Sequence, residues 1–523
     1  MKRKDLVFLG AIILVAAFIR FFWITKVPPS LDWDEASVGY DAYSILQTGK
    51  DQWGTSFPIV FKSFGEFKYP IHIYFTALVT KLFGYSVFSV RAGSAFLGVV
   101  NILLLFFLAL RISKNKTLAF LSCLFLAFSP WHIQFSRVNW ETNFGLFFFL
   151  AGLLFFFKGI EGKKVWSILS FTFFGIDLFT YNAAKAFIPL FVIALVFIYF
   201  KDLFKNKVAT AFGLLIFLGF ILVNIVDPQL SGLTRLGQVT FDTQKINSTY
   251  LYKLTHRQKI GIAQLMAENY LTHFTPKFLF ISGDSNPRHS IQAVGELYWY
   301  EALLLPLGVY FLIKTKSKWA WLILAWFILA PVPASIATEA PHASRSMFAL
   351  GGWQIVSASG FFYLLSLFKK SRFREYFIAF SVLIFLFFTE NYLYNYFAVY
   401  PVKYSSDWQY GYMKIFTDYK KDFAKYNRVI VSDQDGQPYI FALYYLKYDP
   451  NLFRETVQYS PESNWGASTV KSFGKFIFKK VTEGDLQKGS LVFATDNDKI
   501  GDVSPISKIM NLNGTTAFWV YAK

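Results

Sequence analysis

The sequence predicts a mainly α-helical, polytopic membrane protein with about eleven transmembrane helices and a C-terminal extracytoplasmic α/β domain. Hydrophobic residues make up 54% of the 523 residues and charged residues 16%, whereas a typical soluble domain has about 25% charged residues. Apolar runs long enough to cross a bilayer recur as far as residue 391, and the basic residues lie in short clusters between them. These observations favour a membrane protein over a chain of soluble domains.

Eleven apolar runs are candidates for transmembrane helices, because a helix of about 17–25 residues spans the hydrocarbon core. A twelfth run, 70–83, has 14 residues and predicts a helix that lies at the membrane interface. The eleven runs are 6–24, 87–110, 117–133, 142–157, 165–181, 186–200, 208–226, 297–313, 319–335, 346–367 and 376–391.

Six basic clusters test this count. With eleven spans they all fall on one side of the membrane, which the positive-inside rule makes the cytoplasmic side. They contain 19 basic residues, and together with the four acids beside them (Asp5, Glu161, Asp202 and Glu375) they account for +15 of the total charge of +19. The N-terminus is therefore predicted to be cytoplasmic, and a nucleic-acid partner is not expected. The single cysteine, Cys123, excludes a disulfide scaffold. The clusters are Lys2/Arg3/Lys4, Arg111/Lys114/Lys116, Lys158/Lys163/Lys164, Lys201/Lys205/Lys207, Lys314/Lys316/Lys318 and Lys369/Lys370/Arg372/Arg374.

The predicted transmembrane domain, 1–391, includes two long outside loops, 25–86 and 227–296. Residues 400–523 are more polar, and their pattern predicts an extracytoplasmic α/β domain. A helix is expected at 438–447, and strands are expected within 427–433, 473–481, 489–496 and 515–522.

The first outside loop contains four acidic residues within ten positions, directly after the first span: Asp32, Asp34, Glu35 and Asp41. One interpretation is a helix start, with Asp34 as the N-cap and the acids at the positive end of the helix dipole. The other is a carboxylate at the membrane face that serves as a general base or an electrostatic partner. Both can hold, since one acid can cap the helix while another faces a substrate.

Several cations stand at the outer ends of predicted spans or in the outside loops. Lys68 follows Glu66 by two positions, so an extended chain places both on one face. Taken singly, Lys68 and Arg91 are also explained by snorkelling towards the headgroups, and Arg137 with Glu141 by an (i, i+4) pair. Their convergence on one face predicts an anionic ligand. The cations are Lys68, Arg91, Arg137, Lys185 and Arg345.

Motifs of several soluble enzyme classes are missing from the sequence, which has no Walker A, GxGxxG, HExxH or CxxC pattern. Nucleotide-driven and dinucleotide chemistry are therefore not expected. The six histidines are scattered along the chain. His132 and His342 are the candidate metal ligands, and binding of a divalent cation stays open.

The ordered motifs resemble those of the GT-C membrane glycosyltransferases, in the branch of protein O-mannosyltransferases and lipid A aminoarabinose transferases. The resemblance rests first on the Asp34-Glu35 pair and on the ExKxP run of Glu66, Lys68 and Pro70. Four further segments agree in order, and the set covers most of residues 1–350. They are FGYSVFSVRAGSAFLG (83–98), SPWHIQFSRVNWETN (129–143), YNAAKAFIP (181–189) and PHASRSMFAL (341–350).

This resemblance implies an inverting glycosyltransferase that moves a monosaccharide from a polyprenyl-phosphate donor to a cell-envelope acceptor outside the membrane. It implies that Asp34 is the catalytic carboxylate, that Glu35 is its neighbour in the motif, and that Lys68 and Arg91 hold the donor phosphate. The implied substrate-binding residues are Tyr40, Glu66, Lys68, Arg91, Arg137, Glu141 and Arg345.

The expected location is the bacterial cytoplasmic membrane. The chain has no WWD sequence, which disfavours N-glycosylation, and no MIR-like insertion in 227–296, which disfavours protein O-mannosylation. One rival interpretation is a polytopic transporter or a flippase for a lipid-linked sugar, whose ionisable residues would lie near the bilayer midplane. Another is a non-catalytic envelope-assembly protein. The sequence names neither the sugar nor the acceptor.

Overall fold

In a computed structural model, the chain is mainly helical with a C-terminal sheet. The structure describes residues 2–64, 66–232, 240–368, 371–460, 469–498 and 500–523. Two compact units are present, and neither is continuous in sequence. We call them the helical unit (Met1–Phe22, Ser94–Arg137 and Glu141–Tyr394) and the mixed unit (Trp23–Gly93, Val138–Trp140 and Asn395–Lys523).

The helical unit consists of longer helices, many of them apolar, and a few short ones. The helix Val87–Ser113 begins in the mixed unit and continues into the helical unit. The other longer helices are Arg3–Phe21, Lys116–Phe128, Glu141–Ile160, Lys164–Asp177, Asn182–Leu203, Lys207–Val226, Gln258–Thr272, Glu301–Thr315, Lys318–Leu329, Gly352–Leu367 and Ser371–Tyr394. Short helices are Pro130–Ser136, Thr243–Ser248, Tyr250–Thr255 and Val332–Ser335.

Every one of the eleven predicted apolar runs lies largely within helix, but the number of spans is not confirmed. Among the described residues, six helical segments are long and apolar enough to cross a membrane, or seven if the bent pair Lys116–Phe128 and Pro130–Ser136 is one span. One of the six, Asn182–Val226, has 45 residues and contains two predicted runs, 186–200 and 208–226. Tyr199 has non-helical backbone angles, and a 3-10 turn follows at Phe204–Asn206, so this segment is broken near its middle.

The mixed unit combines the first outside loop with the C-terminal part of the chain. Its helices are Trp33–Thr48, Pro70–Phe83, Tyr400–Lys403, Tyr410–Asp418, Pro438–Leu446 and Pro450–Thr456. A hairpin of β1 (Phe61–Ser63) and β2 (Glu66–Lys68) precedes the helix Pro70–Phe83, which has the 14 residues expected of the predicted interfacial helix.

A second sheet has seven strands in the order β4-β5-β6-β3-β7-β9-β8. The central strand β3 runs parallel to β6 and β7, and the outer pairs are antiparallel. The strands predicted within 427–433, 489–496 and 515–522 are confirmed, and 473–481 contains the end of β5 and all of β6. The strands are β3 (Arg428–Val431), β4 (Gln458–Tyr459), β5 (Val470–Phe473), β6 (Phe476–Phe478), β7 (Ser490–Ala494), β8 (Ser507–Met510) and β9 (Thr516–Ala522).

One hydrophobic core joins the first loop to the C-terminal part of the mixed unit. Tyr40 and Ala36 from the helix Trp33–Thr48 are fully buried in it together with Phe441 and Phe518. Full burial of a large apolar side chain contributes about 1.5–3 kcal/mol. The helix that carries the Asp34-Glu35 pair is therefore held by the core of the C-terminal part.

Candidate functional site

The helix Trp33–Thr48, called the DE helix below, begins at an aspartate cap. The N-cap is Asp32, whose side chain accepts a hydrogen bond from the backbone N–H of Glu35 at 2.8 Å. Its other oxygen accepts from the indole N–H of Trp140 at 3.1 Å. The prediction that Asp34 caps this helix is therefore wrong. Asp32 already accepts the N–H of the first turn, and the Asp34 side chain points elsewhere.

Glu35 is fully buried and paired with Arg91 through two parallel hydrogen bonds. Arg91 Nε lies 2.8 Å from Glu35 Oε1, and Arg91 Nη2 lies 2.7 Å from Glu35 Oε2. The backbone N–H of Asn139 also donates to Oε1, at 3.1 Å. Such a bidentate pair fixes the relative orientation of both side chains. Glu35 therefore joins the DE helix to the start of the helix Val87–Ser113.

Arg91 is also fully buried, and its remaining donors bind backbone carbonyls of the first loop. Nη1 donates to Ile24 and Pro28 at 3.0 and 2.9 Å, and Nη2 donates to Ser30 at 2.6 Å. The guanidinium has five N–H groups, which match these three bonds and the two to Glu35. The ring of Trp408 covers it at 5.9 Å. This geometry favours a positioning role for Arg91 over contact with a donor phosphate.

Asp34 differs from Glu35 because it reaches the surface. Its side chain is 32% exposed and forms a 2.9 Å ion pair with the ammonium of Lys68, which is only 4% exposed. The indole N–H of Trp33 donates to its other oxygen at 3.1 Å. Lys68 ends β2, where the hairpin directs it towards the first turn of the DE helix. The structure thus brings together an accessible carboxylate and a buried cation.

Two further titratable groups surround this pair. Burial, and secondarily the charge of Lys68, lowers the pKa of His72 to about 3, so this histidine is neutral at physiological pH. Burial and the neighbouring Asp51 raise the pKa of Asp41 to about 7. Both oxygens of Asp41 accept hydrogen bonds from Gln52, through its backbone N–H at 3.0 Å and its side-chain amide at 3.1 Å.

The other two predicted residues of this loop are Tyr40 and Glu66. Tyr40 is fully buried and donates from its hydroxyl to the backbone carbonyl of Tyr448 at 3.1 Å. Glu66 lies at the first position of β2, opposite Ser63, in the extended backbone that was predicted. Tyr40 therefore belongs to the packing between the DE helix and the C-terminal part.

Arg137, Glu141 and Arg345 belong to the helical unit. Arg137 is buried and donates to the carbonyls of Ile19, Arg20 and Phe22 at the end of the helix Arg3–Phe21. A cation there complements the negative end of the helix dipole.

The (i, i+4) geometry predicted for Arg137 and Glu141 is wrong. One helix ends at Ser136 and the next begins at Glu141, so the two residues do not share a helical turn. Arg345 forms a 3.4 Å ion pair with Glu339, whose side chain is 76% exposed. Exposed pairs of this kind contribute little to stability.

The two candidate metal ligands have different surroundings. His132 Nδ1 lies 2.8 Å from the guanidinium nitrogen Nη2 of Arg20, and both side chains are buried. A cation in that position opposes metal binding. His342 lies beside Asp284 and His289, and one ligand atom from each of these three residues lies within 4.8 Å of the others.

Sequence reasoning missed several residues that hold the site. Asn139 binds Glu35 through its backbone N–H, and Trp140 binds Asp32 through its indole N–H. Gln409 accepts a 2.9 Å hydrogen bond from the backbone N–H of Trp33, and Trp408 stacks on Trp140 with ring centroids 6.1 Å apart. The last two come from a distant part of the chain, and no local pattern indicates them.

Comparisons with known proteins agree with this architecture. Residues 68–226 match the family of dolichyl-phosphate-mannose-protein mannosyltransferases, over less than a third of the 523 residues. Comparison with curated proteins found no match. The oligosaccharyltransferase of Archaeoglobus fulgidus in its apo form superimposes with a TM-score of 0.52 at 15% identity, covering 85% of this chain and 64% of that chain. ArnT from Cupriavidus metallidurans bound to undecaprenyl phosphate gives 0.50 at 12% identity, with 86% of each chain covered.

The chain has the fold of the GT-C glycosyltransferases. The resemblance to the O-mannosyltransferase and ArnT type, predicted from the motifs, is thereby confirmed. The chain spans 64% of the length of the archaeal enzyme AglB, which is also known in complex with an inhibitory peptide and a dolichol-phosphate. At these identities the structural likeness concerns the fold.

Proposed function

We propose that this protein is an inverting membrane glycosyltransferase that moves a monosaccharide from a polyprenyl-phosphate donor to a hydroxyl group of a cell-envelope lipid, glycan or protein. The observation that carries the proposal is that the two adjacent acids, Asp34 and Glu35, have different surroundings. Asp34 is partly exposed beside the buried ammonium of Lys68, while Glu35 is buried against Arg91. Asp34, a carboxylate that can reach a substrate, thus lies next to a cation. The ion pair of Glu35 with Arg91 fixes the helix that carries it.

The proposed chemistry uses both members of the exposed pair. The phosphate of the donor replaces Asp34 as the partner of Lys68, which leaves the carboxylate free for the acceptor. Asp34 then takes the proton of the acceptor hydroxyl. The oxygen of that hydroxyl attacks the anomeric carbon from the side opposite the phosphate. The bond from that carbon to the phosphate oxygen breaks, and Lys68 stabilises the negative charge on the departing polyprenyl phosphate. A leaving group that is already an anion needs no general acid.

The donor class is supported by the lipid phosphates in the two structural neighbours, dolichol-phosphate in AglB and undecaprenyl phosphate in ArnT. Either a hexose or a pentose fits the proposal. We place the reaction on the outer face of the bacterial cytoplasmic membrane, with eleven spans, a cytoplasmic N-terminus and an extracytoplasmic domain at 400–523. The same-side placement of the six basic clusters supports this orientation.

The test is transfer of a radiolabelled sugar from polyprenyl phosphate by purified protein in detergent or liposomes. The wild-type protein is compared with Asp34→Asn and with Asp418→Asn, an exposed aspartate on another helix of the mixed unit. Loss of transfer in Asp34→Asn alone supports the assignment. Equal transfer by all three proteins would refute the role of Asp34. Absence of transfer from every donor by the wild-type protein would favour the transporter interpretation.

A further inference from the structure

Three residues with metal-binding side chains meet in the helical unit, outside the site around Asp34. They are Asp284, His289 and His342, called the Asp-His-His cluster below. His289 Nδ1 lies 2.9 Å and His342 Nδ1 lies 3.8 Å from the same carboxylate oxygen of Asp284, and the two imidazole rings are 4.8 Å apart. The second distance is too long for a hydrogen bond, and His342 Nδ1 accepts a long hydrogen bond of 3.4 Å from the backbone N–H of Arg345.

The position of Asp284 is fixed by the backbone around it. Its own N–H donates to Glu296 Oε1 at 2.9 Å, and Glu296 is 2% exposed. One of its side-chain oxygens accepts from the N–H of Asn286 at 2.9 Å, and the other accepts from the N–H of Ala343 at 2.7 Å. Gly283 beside it has a φ of 76°, which favours glycine. Metal ligands are commonly held by such outer hydrogen bonds.

His342 is held by a third histidine, His273, that does not join the cluster. The backbone N–H of His342 donates to His273 Nε2 at 3.1 Å, and His273 Nδ1 lies 2.9 Å from the carbonyl of Asn269. Because a carbonyl only accepts, Nδ1 of His273 carries the proton and Nε2 is the acceptor. Both nitrogens of His273 are thus used by the backbone, and its role is to position His342.

We propose that Asp284, His289 and His342 bind a Zn²⁺ ion. Two imidazoles and one carboxylate form a ligand set that zinc uses when one coordination position remains open. Ligand atoms about 2.0–2.2 Å from zinc in tetrahedral geometry lie about 3.3 Å from one another, and the two distances to the Asp284 oxygen lie on either side of that value. Small side-chain movements are enough to reach the bound geometry.

The ion would connect two segments that are distant in sequence. Asp284 and His289 lie in the predicted outside loop 227–296, and His342 lies in the turn before the short helix Met347–Ala349. The second segment also carries Arg345, three residues after His342. Binding would therefore fix the position of a cation that the resemblance associates with the substrate.

The experiment measures zinc directly. Wild-type protein, purified through a tag without histidines, is loaded with ZnCl₂, dialysed and analysed by mass spectrometry of the metal. Competition with a zinc-sensitive dye gives the affinity, and thermal unfolding is followed with and without zinc. The variants are His289→Gln and His342→Gln, with His256→Gln as the matched control, since His256 is exposed and lies outside the cluster.

We expect about one zinc per chain and a zinc-dependent rise in Tm for the wild-type protein and for the control. Each ligand variant should bind zinc at least about tenfold more weakly and lose the rise in Tm. Wild-type protein that retains no more zinc than the two variants, and whose Tm does not respond to zinc, would overturn the proposal. The wild-type measurement decides even if a variant fails to fold.

Discussion

At the scale of the residue, the site depends on two adjacent acids with opposite surroundings. Asp34 is 32% exposed and paired with Lys68, whereas Glu35 has no exposed surface and is paired with Arg91. The sequence indicated the pair but not its division, because two neighbours on a helix differ in direction by about 100°. Which acid faces the core depends on what packs against the helix. Residues far away in the sequence take part: Gln409 binds the first residue of the helix, and Trp408 covers Arg91, the partner of Glu35.

The buried pair should therefore control stability. Replacing Glu35 by Gln leaves the Arg91 guanidinium buried without its counter-charge, and loss of one partner of a buried ion pair costs about 3–5 kcal/mol. We expect a clearly lower Tm in detergent for Glu35→Gln. Lys414→Gln is the control, since Lys414 belongs to a surface pair with Asp418 on a single helix. An unchanged Tm for Glu35→Gln would show that the pair is not needed to hold the first loop.

Asp41 predicts a pH dependence of stability. Burial and Asp51 raise its pKa in the folded protein to about 7, while in the unfolded chain it stays near 3.9. The folded state therefore binds the proton more tightly, and the contribution of Asp41 to stability falls as pH rises from about 4 to 7. The Tm of the wild-type protein minus that of Asp41→Asn should be smaller at pH 8 than at pH 5. A difference that stays constant or grows with pH would contradict this reasoning.

At the scale of the element, the DE helix packs closely against the helix Pro438–Leu446. Gly39 lies at their contact, where a Cβ atom would stand 2.6 Å from Cε2 of Tyr444 and 2.9 Å from Cγ2 of Val90. Both distances are shorter than van der Waals contact. The small residue at this position is therefore what allows the two helices to approach.

Gly39→Ala should be destabilising, although alanine is the better helix former. Overpacking of a core typically costs about 1–3 kcal/mol, and a shift of the DE helix should also reduce sugar transfer. Gly10→Ala is the matched control, because no atom lies within 4 Å of the added Cβ in the helix Arg3–Phe21. Thermal unfolding and transfer are measured for both. Equal stability of the Gly39→Ala and Gly10→Ala proteins would show that the DE helix and the helix Pro438–Leu446 can move apart to accommodate a methyl group without loss of stability.

Helices and central strands were predictable from sequence because their patterns are local. All eleven apolar runs lie largely in helix, and β3, β7 and β9 lie where alternation and β-branched residues indicated them. The N-cap residue of the DE helix was not predictable from sequence, since several neighbouring acids satisfied the same rule. The choice of Asp32 depends partly on its hydrogen bond with Trp140. The predicted strand 473–481 contains a turn at Gly474, with a φ of 51°. A continuous apolar pattern conceals such a turn.

At the scale of the whole molecule, the C-terminal part is built into the mixed unit that carries Asp34. The DE helix shares its core, and Arg454 donates to Ser44 at 3.2 Å and to the carbonyl of Asp51 at 3.0 Å. From its position in the sequence, this region could select the acceptor or cover the site. The contacts add a third role, which is to hold the DE helix.

Removal of residues 400–523 should therefore abolish both sugar transfer and hydrolysis of the donor. Without Gln409, the start of the DE helix loses the hydrogen bond to the backbone N–H of Trp33, and without Trp408 the ring that covers Arg91 and stacks on Trp140 is lost. Trp408→Ala tests the same idea in the full chain and should lower transfer and Tm together. If the truncated protein still hydrolyses the donor at the wild-type rate, the region only selects the acceptor.

The central claim is that Asp34 acts on the substrate while Glu35, paired with Arg91, fixes the orientation of the DE helix. It is tested most directly by measuring transfer and Tm in parallel for Asp34→Asn and the wild-type protein under saturating donor and acceptor. We predict a loss of transfer of at least about 100-fold, the scale of general base catalysis, with a smaller fall in Tm than Glu35→Gln produces, because Asp34 is partly exposed whereas Glu35 is fully buried. Transfer at the wild-type rate by a folded Asp34→Asn protein would contradict the claim.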